Sequence, residues 1–429
     1  MSKGLMKSFI IFMILCLTLV GCSSRTGQSD DPKPGSGAKG SDEGKTKISA
    51  FMFINDPSRQ DLYREIAGEF MKENPDINVE MQFPGEYENV MKVKMAANDL
   101  PDIFDTHGWA KVRYGNYLAD LRDEPWADEL TDSIKGVVSD EDGKVYALPV
   151  IEAKQGIAYN AGLLEKYGIE VPQTLDELIA ASEQILEKSN GKTVPFYFSG
   201  VDKWTIGQFF DLFANSLFIT PEKNDKEALL NNSFDWRKWD ELPKKFQEIQ
   251  KKGLINKDVL TAKYSDLPKS FAEERTAFAL VGPYISDEVH KINPDIKIGL
   301  MPVPAIAEGD KPNFSGGEHS SMGIWKDSKH PEEAKKLLQF FAKKENLARL
   351  SDATKLPSGI KGVTASHELV GYYEKYNDVQ VVPYFDRVYL PNGIWDTMCV
   401  QGAELLADRI TPKDYSDVMK KEVERLNNK

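Results

Sequence analysis

Cysteine, basic residues and long apolar runs are all scarce in this sequence. Three cysteines in 429 residues are too few for a disulfide framework or a CxxC metal site. Acidic residues outnumber basic ones, 67 against 54, which gives a formal net charge of −13. A sequence-independent grip on nucleic acid or anionic lipid needs clustered Lys and Arg. We therefore expect no nucleic-acid partner and no membrane contact made through charge.

Catalytic and metal-binding signatures are also missing. The sequence has no HExxH, no GxSxG and no metal-spaced cluster of Cys or His. His367-Glu368 has no second histidine four residues on, and the stretch 139–143 lacks the leading ligand of a calcium loop. We expect no enzyme activity, no metal and no cofactor. A glycoside hydrolase stays open as an alternative, because two carboxylates about 5–10 Å apart suffice for one.

The one long apolar run stands at the start of the chain. Phe9–Val20 follows two lysines and no acid, an arrangement typical of a secretory signal. A membrane-spanning helix needs about 20 apolar residues, so an N-terminal membrane anchor is the weaker alternative. Leu-Val-Gly-Cys, ending at Cys22, resembles the lipobox of bacterial lipoproteins. That resemblance implies a signal peptide over residues 1–21, cleavage before Cys22 and lipidation of its sulfur.

A polar stretch follows the cysteine. Ser23–Lys47 contains no Val, Ile, Leu or aromatic residue, so it cannot bury enough apolar area to order itself. We expect residues 22–46 to form a lipidated, disordered tether with a reach of about 25–30 Å. This places the body at the extracellular face of a bacterial cell membrane, where the lipid is its only membrane contact.

From residue 47 onward, β-like runs alternate with amphipathic helical stretches. Strands are predicted over 47–54 and 78–83, with helices over Ser58–Asn74 and Tyr87–Asn98 between and after them. Thr174 and Glu177 form a capping-box pattern at the start of a further helix. Alternating strands and helices predict an α/β fold with a parallel sheet and right-handed crossovers.

Several stretches together resemble the extracellular solute-binding proteins of ABC importers, in the sugar-binding class that includes maltose-binding protein. Among these, the chain is most similar to the multiple-sugar-binding lipoproteins. The matching stretches are LPDIF (100–104), YALPVIE (146–152), IAYNAGLLEKYGIEVPQTLDEL (157–178), FAEERTAFALVGPYI (271–285), GGEHSSMGIWKDSKHPEEAKKLLQFF (316–341) and LPNGIWDTM (390–398). They span nearly the whole body in the expected order.

The resemblance implies two α/β lobes, each a mostly parallel sheet flanked by helices, joined by hinge crossings near Ile151-Glu152, Met301–Pro304 and Lys326–His330. The N-lobe would comprise 47–151 plus 303–326, and the C-lobe 152–302 plus 327–429. It further implies a monomer that captures an oligosaccharide between the lobes, closes over it and delivers it to an ABC permease. A binder of a non-sugar solute, such as a peptide or a metal, is the remaining alternative.

Sugars are bound by flat aromatic rings together with polar side chains that bond their hydroxyls. Tyr284, after Gly282-Pro283, and Trp395 match ring-stacking positions of the family. Glu152 matches an acidic ligand-binding position, and a hinge ion pair is its alternative role. Further candidates are Trp204, Trp109, His107, Asp105, Gly317, Glu86 and Asn55. A core tryptophan, a cap, a turn or a surface position is the alternative for each of these.

The stretch 105–108 departs from the family pattern. Asp105-Thr106-His107-Gly108 replaces the aromatic residue and the Asp-Arg pair that maltose-binding protein has after this strand. Glucan specificity is therefore not inherited. The acidic candidates, with His107 and His319, favour a neutral oligosaccharide over a uronate, because the carboxylate of a uronate would require Arg or Lys.

Overall fold

The computed structural model describes residues 44–220, 223–306 and 309–428. The predicted signal peptide, Cys22 and the tether as far as residue 43 lie outside the described residues. The strands are β1 (Thr46–Phe51), β2 (Ile77–Gln82), β3 (Ile103–Asp105), β4 (Leu148–Pro149), β5 (Glu152–Gln155), β6 (Ile157–Asn160), β7 (Phe278–Ala279), β8 (Ile298–Met301), β9 (Phe314–Glu318), β10 (Ser321–Ile324) and β11 (Val381–Pro383).

The helices, in chain order, are α1 (Pro57–Glu73), α2 (Tyr87–Ala97), α3 (Asp132–Val138), α4 (Ala161–Tyr167), α5 (Leu175–Lys188), α6 (Trp204–Phe218), α7 (Lys226–Leu230), α8 (Glu241–Lys251), α9 (Leu267–Ala272), α10 (Ser286–Ile292), α11 (Pro331–Phe341), α12 (Lys344–Thr354), α13 (Val370–Lys375), α14 (Phe385–Val388), α15 (Ile394–Leu406) and α16 (Pro412–Asn427). In the described part of the chain, none of these helices combines the length and apolarity needed to span a bilayer.

The first lobe is built on a five-stranded sheet in the order β2-β1-β3-β10-β4. β1 pairs in parallel with β2 and β3, as predicted, while β10 runs antiparallel to β3 and β4. Local chemistry starts α1 where the sequence indicates, because the Asp56 carboxylate accepts the Arg59 N–H at 3.0 Å and Pro57 occupies the first turn. Tyr63, Ile66 and Phe70 then bury one face of the helix.

Three strands form a separate sheet that joins the lobes, in the order β11-β9-β5. β5 is antiparallel to β9, and β11 is parallel to it. We call it the hinge sheet. Gly316 of β9 permits the close approach to β5, because a Cβ there would overlap the carbonyl oxygen of Ala153. The chain thus crosses at β5, close to the crossing predicted at 151–152, and again at β9.

The other two predicted crossings differ from the structure. Residues 301–304 begin at the end of β8 inside the second lobe, and 326–330 connect β10 to α11 within the first lobe. α11 and α12 both pack on α1, and α11 also contacts β1 and β10. These helices therefore belong with the first lobe, whereas the division from the sequence put residues 327–429 in the C-lobe. An apolar face shows that a helix packs, but not which sheet receives it.

The second lobe surrounds a small sheet in the order β7-β6-β8. β6 is antiparallel to both neighbours, so the mostly parallel sheet expected in each lobe is absent here. The long helical stretch between β6 and β7 lets the chain re-enter the sheet in the opposite direction. The α/β class itself is confirmed. α6 is the core helix, with every residue from Thr205 to Phe218 buried, because its sequence is apolar almost all round.

Candidate functional site

Aromatic side chains gather where the strands of the first lobe end. Phe53 follows β1 and His107 follows β3, and their rings stack with centroids 4.5 Å apart. Tyr87 and Trp109 meet His107 edge-on, at centroid distances of 5.4 and 4.8 Å. The carboxyl ends of parallel strands are where α/β sheets bind ligands. His107 and Trp109 lie in this first-lobe cluster as predicted, while Phe53, which is 38% exposed, was missed.

The Glu88 carboxylate lies beside His107 in this cluster. The Nε2 of His107 lies 2.7 Å from Oε1 of Glu88 on α2, and Glu88 also pairs with Arg113. Burial lowers the pKa of His107, although the Glu88 carboxylate opposes this shift. The His107 backbone has a φ of 28°, so the turn after β3 has a strained backbone in addition to the side-chain contact with Glu88. The ring is therefore fixed in place before any ligand arrives.

Asp105 lies beneath the first-lobe cluster and is fully buried. Its carboxylate accepts the N–H groups of Phe53 at 3.3 Å, His107 at 2.9 Å and Ser321 at 3.1 Å. The Ser320 hydroxyl also donates to it, at 3.1 Å. Burial outweighs these donors and raises the pKa of Asp105 to about 7. Asp105 thus fixes the loops after β1 and β3.

Glu318, at the end of β9, holds the same loop from the hinge sheet. One carboxylate oxygen accepts the Thr106 hydroxyl, and the other accepts the Ala110 N–H at 3.0 Å. The side chain is buried, and burial raises its pKa. The loop that carries His107 and Trp109 is therefore attached to a hinge strand. No local sequence pattern indicates this role, because it depends on a contact across more than 200 residues.

Trp204 and Trp395 lie together on the second lobe. Trp204 opens α6, and its ring meets Tyr264 edge-on at 4.8 Å. Trp395 lies in the first turn of α15. Its ring packs against Gly207, because a Cβ added to that glycine would lie 3.4 Å from the Trp395 ring. Gly207 is three residues after Trp204, on the same face of α6. Both tryptophans are half-buried, so part of each side chain is exposed and can stack against a sugar ring.

Tyr284 and His319 face each other between the lobes. Tyr284 follows β7, hydrogen-bonds to the Tyr384 hydroxyl, and stacks near His319 with ring centroids 5.9 Å apart. Burial, reinforced by the charges of Arg59 and Arg387, lowers the pKa of His319 to about 3. His319 is therefore neutral at physiological pH. Its buried Nδ1 has no hydrogen-bond partner among the described residues, so it is available to a ligand hydroxyl.

A buried carboxyl pair supports the second lobe behind these residues. Asp211 of α6 accepts the Asp386 N–H at 2.8 Å, and the two carboxyl groups hydrogen-bond to each other. Burial and mutual repulsion raise the pKa of Asp211, and burial raises that of Asp386. We therefore expect the two groups to share a proton. An Asp inside a mostly apolar helix is the sequence signal that could have identified Asp211.

Arg387 of α14 reaches across from the second lobe. Its Nη1 donates to the His107 carbonyl at 3.2 Å, and its guanidinium carbon lies 4.4 Å from the ring centroids of both Trp109 and Tyr384. The local sequence around Arg387 matches no motif that we recognised. The Arg387 side chain places a positive charge among the aromatic rings of the candidate site.

Four predicted site residues lie apart from the aromatic clusters. Glu152 is buried in β5, where its carboxylate accepts the Thr131 hydroxyl at 2.8 Å and also bonds Ser133. Gly317 of β9 has a φ of 116°, and a Cβ there would contact Val137. The other two, Glu86 at the N-cap of α2 and Asn55 in the loop after β1, are exposed. Glu152 and Gly317 thus belong to the hinge sheet, apart from the aromatic clusters described above.

The donor chemistry of the site suits an organic ligand. Within residues 44–220, 223–306 and 309–428, no group of three or more His, Cys, Asp or Glu side chains is placed to hold a metal ion. The walls offer aromatic faces, a neutral imidazole and arginine donors. These are the groups that bind the C–H faces and hydroxyls of a sugar.

Residues 56–348 match the family described as bacterial extracellular solute-binding protein. The chain therefore belongs to the bacterial extracellular solute-binding proteins. It is 43% identical to the melibiose/raffinose/stachyose-binding protein MelE of Bacillus subtilis over 98% of this chain and 96% of that protein. A multiple sugar-binding protein of Streptococcus mutans is 23% identical over 76% of this chain and 78% of its own.

Two solved structures extend the likeness to three dimensions. A Bacillus subtilis binding protein in an open conformation has a TM-score of 0.86 and 44% identity, covering 90% of this chain and 99% of that chain. A sugar transporter from Bacillus licheniformis in complex with stachyose has a TM-score of 0.81 and 47% identity, covering 89% of this chain and 100% of that chain. The two-lobed architecture is thus shared along the whole body.

Proposed function

We propose that this protein is the sugar-binding component of an ABC importer and that its ligands are melibiose, raffinose and stachyose. The observation that carries the proposal is the 43% identity to MelE over 98% of this chain. The stachyose complex of a relative with 47% identity supports the same ligand class. All three sugars are neutral and end in a galactose joined by an α-1,6 bond, so one site can receive their common end.

The ligand lies between the aromatic walls of the two lobes in this proposal. Trp204, Tyr284 and Trp395 stack against sugar rings from the second lobe, and the loop after Phe104 covers them from the first. The neutral His319 accepts a hydroxyl hydrogen. Closure around the hinge sheet then shifts the population toward the shape that the permease recognises. The protein works as a monomer and releases its sugar uncleaved.

Isothermal calorimetry tests this proposal. The protein is titrated with melibiose, raffinose and stachyose, with maltotriose and galacturonate as controls. We expect heat of binding from the three α-galactosides, and affinities for both controls at least 100-fold weaker. Chromatography of the recovered sugars tests catalysis in the same samples, and we expect no shortened products. Tight maltotriose binding, or cleaved raffinose, would overturn the assignment.

A further inference from the structure

Phe53 is the only exposed aromatic residue in the part of the chain that the structure describes. Its side chain is 38% exposed, whereas every other described Phe, Tyr and Trp is buried or half-buried. It lies two residues after β1, at the carboxyl end of the parallel part of the first-lobe sheet. Single exposed apolar side chains are common on protein surfaces, so the position of this ring, and not its exposure alone, indicates a role.

The other three rings of the first-lobe cluster are covered by the protein itself. Tyr87 is buried. Trp109 is half-buried, and the guanidinium carbons of Arg113 and Arg387 lie 3.9 and 4.4 Å from its ring centroid. The His107 ring has one aromatic ring stacked on it and two more against it edge-on. The fourth ring of the cluster is therefore the one with a surface open to a ligand.

The Phe53 ring is supported on one face. It stacks on His107 with an interplanar angle of 29° and with ring centroids 4.5 Å apart, so His107 covers that face. The Phe53 backbone is held as well, because its N–H donates to the buried Asp105 carboxylate at 3.3 Å. A side chain that is already supported loses little conformational freedom when a ligand stacks on it. The ring is therefore suited to bind a second flat surface.

The same Asp105 carboxylate connects Phe53 to the residues between the lobes. It also accepts the Ser320 hydroxyl at 3.1 Å, and Ser320 directly follows His319. The His319 ring lies near that of Tyr284, with centroids 5.9 Å apart. One buried group thus bonds both the loop that carries Phe53 and the segment that carries His319. Phe53 therefore borders the candidate site from the first lobe.

We propose that Phe53 is the first-lobe ring that stacks against the C–H face of a sugar. This assignment rests on the proposed function, because it concerns the same ligands. The C–H face of a sugar ring is weakly polar and packs on an aromatic face, while its hydroxyls bond polar side chains. Loss of the Phe53 ring removes a contact with the bound sugar, so the affinity falls whatever the position of the lobes in the unliganded protein.

Calorimetry with stachyose, the longest of the three proposed sugars, tests this assignment. Phe53→Leu keeps an apolar side chain without the flat face, and Phe53→Tyr keeps the face. We expect the Leu variant to bind stachyose about 10-fold more weakly or worse, and the Tyr variant to stay within about threefold of wild type. Phe83→Leu is the matched control and should bind as wild type does. Phe83 follows the neighbouring strand β2, but it packs on the core with the Arg64 guanidinium carbon 4.7 Å from its ring centroid.

The melting temperature separates a ligand contact from a structural ring. We expect unliganded Phe53→Leu to melt within about 3 °C of wild type, because exposed substitutions change stability little. A larger fall would make the ring structural and overturn the assignment. Unchanged stachyose affinity in Phe53→Leu, or a loss that Phe53→Tyr does not recover, would also overturn it and leave the proposed function standing. If wild type binds none of melibiose, raffinose and stachyose, the proposed function fails and the stacking assignment fails with it.

Discussion

Individual residues of the candidate site divide into those that face a ligand and those that hold others in place. Trp204, Tyr284, Trp395 and His319 are half-buried, whereas Asp105 and Glu318 are buried and bond loop backbone. Asp105, which was predicted as a sugar contact, therefore supports the loops of the site from below. The aromatic side chains are the main candidates for direct contact.

Replacement of Trp395 tests the second-lobe wall. Loss of one stacking ring costs on the order of 1–3 kcal/mol in binding, so Trp395→Ala should weaken raffinose binding about 10- to 100-fold by calorimetry. Trp325→Ala is the matched control, because this half-buried tryptophan follows β10 at the opposite end of the sheet, where its backbone N–H donates to the Asp102 carbonyl. Equal affinity in the Trp395 variant and wild type would remove Trp395 from the site.

The carboxyl pair predicts a dependence of stability on pH. The pKa values of Asp211 and Asp386 are raised in the folded protein, so unfolding releases a proton and rising pH favours the unfolded chain. Wild-type stability should therefore fall as the pH rises above the ordinary pKa of an aspartate, which is about 4. Asp211→Asn removes the shared proton and can donate to Asp386, so its melting temperature should fall less over this range in scanning calorimetry.

The control for this prediction is Asp128→Asn, a change at an exposed aspartate of the first lobe. Because Asp105 also titrates, with a pKa of about 7, the informative quantity is the difference between variant and wild type at each pH. A variant whose melting temperature runs parallel to that of wild type across the range would show that the pair does not share a proton.

Secondary-structure elements were predictable from the sequence to the extent that their ends depend on nearby residues. α1 and α2 begin and end within one residue of the predicted bounds, because Asp56 caps one and Asn98 ends the other in a left-handed conformation. The capping box of α5 is present, with Thr174 accepting from Glu177 at 3.2 Å. Each of these signals spans at most a few residues.

Contacts between distant parts of the chain were not predictable in this way. The hinge sheet depends on residues 152–155 pairing with 315–318, and no local pattern records that register. Arg387 and the Asp211–Asp386 pair were not predicted for the same reason, since each acts only through a partner far away in sequence. Trp204 was predicted because an aromatic residue stands out in polar company, and Tyr284 and Trp395 were predicted from the family resemblance. Their ring-stacking role stays a prediction.

A glycine of the hinge sheet tests the importance of this close packing. Gly316→Ala places a methyl group against the Ala153 carbonyl, and overpacking of this kind costs about 1–3 kcal/mol of stability. Gly68→Ala in α1 is the control, because a Cβ there meets nothing within 4 Å and alanine favours a helix. We expect urea denaturation to show a loss for the first and none for the second. A loss in neither would mean that the strands separate easily.

At the scale of the whole molecule, the lipobox-like sequence predicts where the protein resides. Cys22 lies outside the described residues, so we propose its lipidation from the sequence alone. Cys22→Ala should move the protein from the cell membrane into the culture medium, as measured by immunoblotting of the two fractions. Cys399→Ala is the control, since that buried thiol lies in α15 and should leave the distribution unchanged. Membrane retention of the Cys22 variant would contradict the lipid anchor.

Two carboxylates set which parts of the molecule turn together. Glu152 accepts the Thr131 and Ser133 hydroxyls at the start of α3, and Glu318 accepts from the loop after β3, so both β5 and β9 are attached to the first lobe. We then expect β5 and β9 to move together with the first lobe. Bending is left to the far ends of β5 and β9, near Gly156, where the backbone runs against Met301 with no room for a side chain. We therefore expect the axis of lobe motion to pass through the second-lobe border of the hinge sheet.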